Sequence, residues 1–184
     1  INISMSRLYR PENGEQKYEY KGEVQNMHEA YRYAFVTDAQ AGLVVVDIDK
    51  LTDGDPMNNF IAEATRFNPK GLLNGARCIE FAGETVYVGC DAGLVAINVD
   101  DPLAPKVIGH VKSITKPTSV RIQFRYLFVT DAEGLKVVDV TDPKRMAAVP
   151  GATKSSPGAR DVWGARTFAY VAAGEKGIVI VDVE

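Results

Sequence analysis

Leu127-Phe-Val-Thr-Asp-Ala-Glu-Gly-Leu-Lys-Val-Val-Asp-Val-Thr-Asp-Pro143 is the stretch that decides the fold, because the chain repeats its core in altered form. The other copies are Tyr33-Ala-Phe-Val-Thr-Asp-Ala-Gln-Ala-Gly-Leu-Val-Val-Val-Asp47, Val86-Tyr-Val-Gly-Cys-Asp-Ala-Gly-Leu-Val-Ala-Ile-Asn98 and Ala169-Tyr-Val-Ala-Ala-Gly-Glu-Lys-Gly-Ile-Val-Ile-Val-Asp182. Anchored on Gly42, Gly93, Gly134 and Gly177, they lie 51, 41 and 43 residues apart. A period of roughly 40–50 residues is that of propeller blades.

Each unit reads as four short strands. The first precedes the repeated block, as in Ala76–Phe81 or Ser119–Gln123, and the second is an aromatic, Val-rich run such as Tyr126–Val129. A tight turn ending in the shared Gly leads to the third, such as Leu135–Val140, and an Asp-Pro turn leads to the fourth, such as Lys106–Val111. Enrichment in β-branched and aromatic residues between Gly, Pro and Asp clusters is the mark of strands. No segment keeps a helical period, so the chain is expected to be all-β. Third strands such as Ile178-Val-Ile-Val181 are apolar on both faces, as befits a middle strand held between two neighbouring blades. The shared glycines are expected at positive φ, and Asp47, Asp139 and Asp182 as turn-formers accepting backbone N–H groups.

The pattern Gly-Leu/Ile-x-Val/Ile-Val-Asp-Val-x-Asp-Pro, carried best by Gly134–Pro143 and Gly177–Val183, resembles the LVIVD repeat. The resemblance runs from about residue 24 onward. The second unit departs from it, with Ala96-Ile97-Asn98 in place of Val-Val-Asp, and the first carries an insertion around 50–74. The resemblance implies a β-propeller of the kind found in secreted, periplasmic or cell-surface proteins, often joined to other domains. It implies no defined catalysis, no cofactor and no family active-site residues.

The expected blades are 24–70, 75–112, 117–154 and 159–184, after an N-terminal extension at 1–16. The fourth ends after its third strand. Lys17–Val24 resembles a fourth strand and is a possible closing outer strand beside Ile178–Val183. Two architectures follow: a closed four-bladed ring, or an arc excised from a larger propeller. The chain opens Ile1-Asn2-Ile3 and stops at Glu184 just after an apolar run, so both ends read as cut.

Composition narrows the function less. With 46% hydrophobic and 24% charged residues in a length of 184, the chain can build one sizeable core. A net charge of -3 gives no reason to expect nucleic acid, and no apolar run is long enough for a membrane span. Cys78 and Cys90 fall on neighbouring strands of one hairpin turning near Ala82-Gly83-Glu84. That register sets Cys78 opposite Tyr87, with Cys90 three residues on, too far for a disulfide.

The best candidate site is a polar ring on the first strands, which line the central channel of a propeller. Aligned, they read Gln25-Asn26-Met27-His28, Arg77-Cys78-Ile79-Glu80, Thr118-Ser119-Val120-Arg121 and Arg160-Asp161-Val162-Trp163. The third column packs between blades. Asn26, Cys78, Ser119 and Asp161 point one way, with His28, Glu80, Arg121 and Trp163 two residues on. Asn26, His28, Arg77, Ser119, Arg121, Arg160, Asp161 and Trp163 are thus ligand or channel candidates, set against the plain reading that channels are wet and polar. His28 beside Asp161 or Glu80 has the makings of a general base, while His110 is expected exposed on an outer strand. The acidic insertion from Asp47 to Asp55 fails the calcium-loop pattern, with Thr52 at position 6 and Asn58 at position 12. No phosphate loop, nucleophile elbow or haem motif occurs. The missing chemistry and the family resemblance together point to a non-catalytic interaction or scaffold module whose partner is a protein or a neighbouring domain, and the resemblance implies an extracytoplasmic setting. The alternatives are a small-ligand or enzymatic site in the channel, or an accessory domain of a larger secreted or redox protein.

Overall fold

The repeated runs become antiparallel sheets whose turns are set by Gly and Asp. A computed structural model describes residues 32–51 and 56–183, together with the backbone of β1 (Leu8–Tyr9), β2 (Lys17–Tyr20) and β3 (Glu23–Asn26). Blade 1 holds β4 (Tyr33–Asp38), β5 (Gly42–Asp47) and β6 (Ala62–Phe67). Blade 2 holds β7 (Cys78–Ala82), β8 (Thr85–Cys90), β9 (Gly93–Asn98) and β10 (Lys106–Val111). In blade 3 are β11 (Ser119–Gln123), β12 (Tyr126–Thr130), β13 (Gly134–Asp139) and β14 (Ala147–Ser155). Blade 4 has β15 (Asp161–Ala165), β16 (Phe168–Ala172) and β17 (Ile178–Asp182). Strands follow one another in sequence order within each blade, and no α-helix occurs among the described residues. The fold is all-β and propeller-like.

The turn chemistry matches its residues. Gly42, Gly93, Gly134 and Gly177 all have positive φ. The Asp38 carboxylate accepts the N–H groups of Gln40 and Ala41 at 2.8 and 2.7 Å, and Asp131 accepts those of Glu133 and Gly134. After the third strands, Asp47 accepts Asp49 N–H and Asp139 accepts Thr141 N–H. The outer strand of blades 1, 2 and 3 carries a register shift against its neighbour, the added twist typical of a bulged edge.

Among the described residues three cores lie between blades, and the middle strands of blades 2 and 3 each serve two of them. Leu43, Leu73, Val86, Val88, Cys90, Val95 and Ile97 join blade 1 to blade 2. Tyr87, Leu94 and Ala96 face Val120, Leu127, Val129 and Val138 between blades 2 and 3. Phe128, Leu135 and Val137 meet Val162, Ala169, Val171, Val179 and Val181 between blades 3 and 4. All of β8 is buried, whereas β16 and β17 alternate with exposed residues. Middle strands buried on both faces and end strands buried on one are what face-to-face stacking demands.

The N-terminal pairing differs from the sequence expectation. Lys17–Tyr20 pair with β1 and β3, and β17 has only β16 as a strand neighbour among the described residues. Gln25 and Asn26, expected to begin the first strand of blade 1, belong with Glu23 and Val24 to this same small sheet, so the blade 1 sheet starts at β4. A two-residue connection between β2 and β3 closes a hairpin at far lower entropic cost than pairing with a strand at the other end of the chain.

Candidate functional site

The first strands of blades 2, 3 and 4 run side by side, with β11 between β7 and β15. Their third-column residues Val120 and Val162 are buried in the inter-blade cores and Ile79 packs against one. That leaves the flanking columns facing one another along the inner edge. Ser119 Oγ donates to Asp161 Oδ1 at 2.6 Å, linking blades 3 and 4. The same Asp161 oxygen accepts the Val162 N–H at 2.9 Å. Two residues on, Arg121 Nη1 donates to Glu80 Oε2 at 3.0 Å, linking blades 3 and 2, while Glu80 Oε1 accepts the Ile122 N–H at 3.1 Å. The Arg121 guanidinium also lies over the Trp163 ring, 5.3 Å from its centroid. In these three blades Glu80, Arg121 and Trp163 form a chain, while of the other column only Ser119 and Asp161 meet and Cys78 packs against the core between blades 2 and 3.

The remaining candidates sit apart. Arg77 turns back onto Asp91 of its own blade, in the turn between β8 and β9. Arg160 is exposed, its backbone N–H bonded to the Ala172 carbonyl. Asn26 is described only as a backbone position of β3, and His28 lies outside the described residues. His110 is half-buried rather than exposed, its Nε2 2.8 Å from the Ala92 carbonyl oxygen. The bulged outer strand turns its ring over the preceding hairpin turn.

Two residues outside the candidate set add further ties between blades 3 and 4. Thr118 Oγ1 donates to the Ala159 carbonyl at 3.1 Å and lies 2.9 Å from Thr130 Oγ1. The Gln123 amide donates to the Arg166 carbonyl. Thr118 precedes β11, the shared strand, and Gln123 ends it, and that position was the one sequence signal able to reveal them.

The cysteines are unpaired, for a reason other than the one read from sequence. Cys78 faces Gly89, not Tyr87, because the β7–β8 turn is only Gly83-Glu84. Cys90 is therefore one position along, and alternation sends the two thiols to opposite faces of the sheet. Cys78 packs toward blade 3 and Cys90 toward blade 1. Burial pushes the Cys78 thiol up to about 11 and also raises that of Cys90. Neither is an activated nucleophile. Among the described residues no group of three or more His, Cys, Asp or Glu side chains is placed to hold a metal ion.

The model of the LVIVD repeat matches residues 22–54, 116–149 and 158–183, just over half of the chain. The chain belongs to the LVIVD-repeat family. The LVIVD matches skip blade 2, which nevertheless forms four regular strands, and its Ala96 and Asn98 stand where the repeat has Val and Asp. No curated protein matches the sequence. Among solved structures, the computationally designed Ika4 protein is similar at a TM-score of 0.57 and 12% identity, over 83% of this chain and 86% of that one. A chain of a nidogen/laminin complex is similar at 0.56 and 12% identity, over 92% and 68% respectively. AztD from Citrobacter koseri matches at 0.41 and 15% identity, over 97% of this chain and 55% of that one. At such identities the likeness to the first two is one of fold.

Proposed function

We propose that this LVIVD-repeat chain is a non-catalytic, extracytoplasmic propeller module. In this reading its inner strands fasten the blades together and its outward surfaces bind protein. The observation that carries the reading is the mutual engagement of the inner polar groups. Glu80 has both oxygens engaged, Oε2 by Arg121 and Oε1 by the Ile122 N–H, while Asp161 takes Ser119 and the Val162 N–H on Oδ1. Glu80 is thus a joint between blades, whereas a general base must keep an oxygen for its substrate, and Asp161 ties blade 4 to blade 3 through one oxygen. The extracytoplasmic setting rests on the family resemblance. No helix among the described residues is long and apolar enough to cross a membrane.

The rival reading, a small-ligand site on the same edge, draws on the exposure of Arg160 and Trp163 beside Asp161. A thermal-shift screen with divalent metals, nucleotides and sugars separates the two, since any ligand of the folded state raises its melting temperature. The module reading expects no shift from any of them. Stabilisation by one compound, lost in Asp161→Asn or His28→Ala, assigns the edge to that ligand and overturns it.

A further inference from the structure

The connections between blades carry charge in a pattern that the strands do not require. From the end of each outer strand to the first strand of the next blade, the chain runs through 68–77, 112–118 and 154–160. Each stretch holds two cations and no acid: Lys70 and Arg77, Lys112 and Lys116, Lys154 and Arg160. All of these side chains are exposed. Antiparallel order puts the three stretches at one end of the stack, against the turns that join second to third strands. Gly75 N–H donates to the Ala39 carbonyl, Asp91 N–H to the Asn74 carbonyl and Ser156 N–H to the Glu133 carbonyl. The opposite end mixes its charges, with Asp100, Asp101 and Asp142 beside Lys144 and Arg145 in 99–105 and 140–146.

The three stretches are neighbours on a fixed base. Cys78 Sγ, next to Arg77, lies 3.7 Å from the Pro117 carbonyl, next to Lys116, and Thr118 Oγ1 reaches the Ala159 carbonyl, next to Arg160. Leu73, Ile114 and Ala159 are buried beneath them. The carboxylates close by already have partners: Asp38 in its own turn, Asp91 with Arg77, Asp131 and Glu133 with Lys136, and Asp161 with Ser119. Glu175 has Lys176 next to it on the blade 4 turn. Among the described residues no ion pair involves Lys70, Lys112, Lys116, Lys154 or Arg160. Lys116 is held at a φ of 48°, where the equivalent residues of the other two stretches are Gly75 and Gly158, at 70° and 85°. Strain of this kind persists at ligand clamps, and here it keeps an ammonium group where a glycine would turn freely.

We propose that this end of the stack binds an acidic segment of a partner protein, laid across the three connections with its carboxylates over the unpaired cations. The proposal rests on the reading of the chain as a protein-binding module and names the chemistry of its partner. Blades pack through their faces, so a further blade on either side of the stack leaves this end open. Charge complementarity selects a polyanion, and cations spread over three connections suit an extended one. No large apolar or aromatic side chain is exposed within the three stretches, so nucleic-acid bases have nothing to stack on. Lysine supplies four of the six cations, and its flexible point charge suits scattered carboxylates better than the bidentate grip that phosphate draws from arginine.

The test is the fluorescence anisotropy of a labelled oligoglutamate peptide titrated with the full 184-residue chain over a salt series. Wild type is expected to bind, with an affinity that falls as salt screens the charges. Lys112→Gln, Lys116→Gly and Lys154→Gln combined are expected to weaken binding about tenfold, roughly twofold for each exposed charge removed. Lys116→Gly alone is expected to weaken binding with no loss of melting temperature, since glycine carries no strain there. Lys106→Gln, Lys144→Gln and Arg166→Gln combined remove equal charge from the opposite end and are expected to leave binding unchanged. Circular dichroism with a thermal melt verifies that each variant stays folded. No binding at low salt, or equal losses in the two triple variants, overturns the proposal and leaves the module reading to some other partner protein. Tighter binding of single-stranded DNA of matched charge also overturns it, by making the end a nucleic-acid site. A compound found by the thermal-shift screen would instead sink the module reading without altering the difference between the two triple variants.

Discussion

At the scale of single residues, position within the stack governs chemistry more than residue type does. Cys78 is a thiol in a core, and desolvation, its largest influence, raises its pKa from 9.0 to about 11. A thiol whose folded pKa is raised keeps its proton longer in the folded state than in the unfolded one. Stability therefore falls as pH rises from about 9 to 11, by about 2–3 kcal/mol over the window. Urea melts at pH 8, 9, 10 and 11 are expected to show this loss in wild type and a smaller one in Cys78→Ala; parallel curves would remove the assignment. The sequence revealed both cysteines as unpaired and Ser119, Asp161, Arg121 and Trp163 as one edge. It could not reveal that these groups satisfy each other, since the partners lie on strands about forty residues apart and the register between blades is set by side-chain packing. Nor could it fix the Cys78 register, which turned on whether the β7–β8 hairpin closes with two residues or more.

Single elements differ in how much their turns tolerate. The shared glycines hold comparable places in sequence, yet their surroundings differ. A Cβ on Gly134 would sit 2.2 Å from the Lys154 carbonyl oxygen and 2.4 Å from the Ser156 nitrogen, both on or beside β14. At Gly177 a Cβ would meet nothing within 4 Å, because blade 4 has no fourth strand among the described residues. Gly177→Ala then carries only the strain of its backbone, about 1–3 kcal/mol. Gly134→Ala adds a collision with main chain that cannot yield without parting β13 from β14. Denaturant melts should rank Gly134→Ala well below Gly177→Ala, and equal losses would mean that the outer strand does not press on the turn. The glycine column was plain in the sequence because the repeat aligns it. The element that escaped was β2, whose likeness to an outer strand was real in pattern but was outweighed by the nearer partner β3.

Across the whole molecule, stability should grade from the middle of the stack to its ends. Repeats that touch only their neighbours are stabilised by their own folding and by each shared interface. Blades 2 and 3 each share two cores, and blades 1 and 4 one each. Strands β8 and β12, nearly or wholly buried, are the middle of that middle, while β17 exposes one face and has only β16 as a strand neighbour among the described residues. Local opening needs to break only the interfaces of the blade that opens, so blade 4 opens at the cost of one core and blade 2 at the cost of two. Amide exchange is expected to be slowest in β8 and β12 and fastest, among paired strands of the four blades, in β17. Equal protection across the blades would mean that the stack unfolds as one cooperative unit, and that the end faces are sealed by something the inter-blade cores do not include.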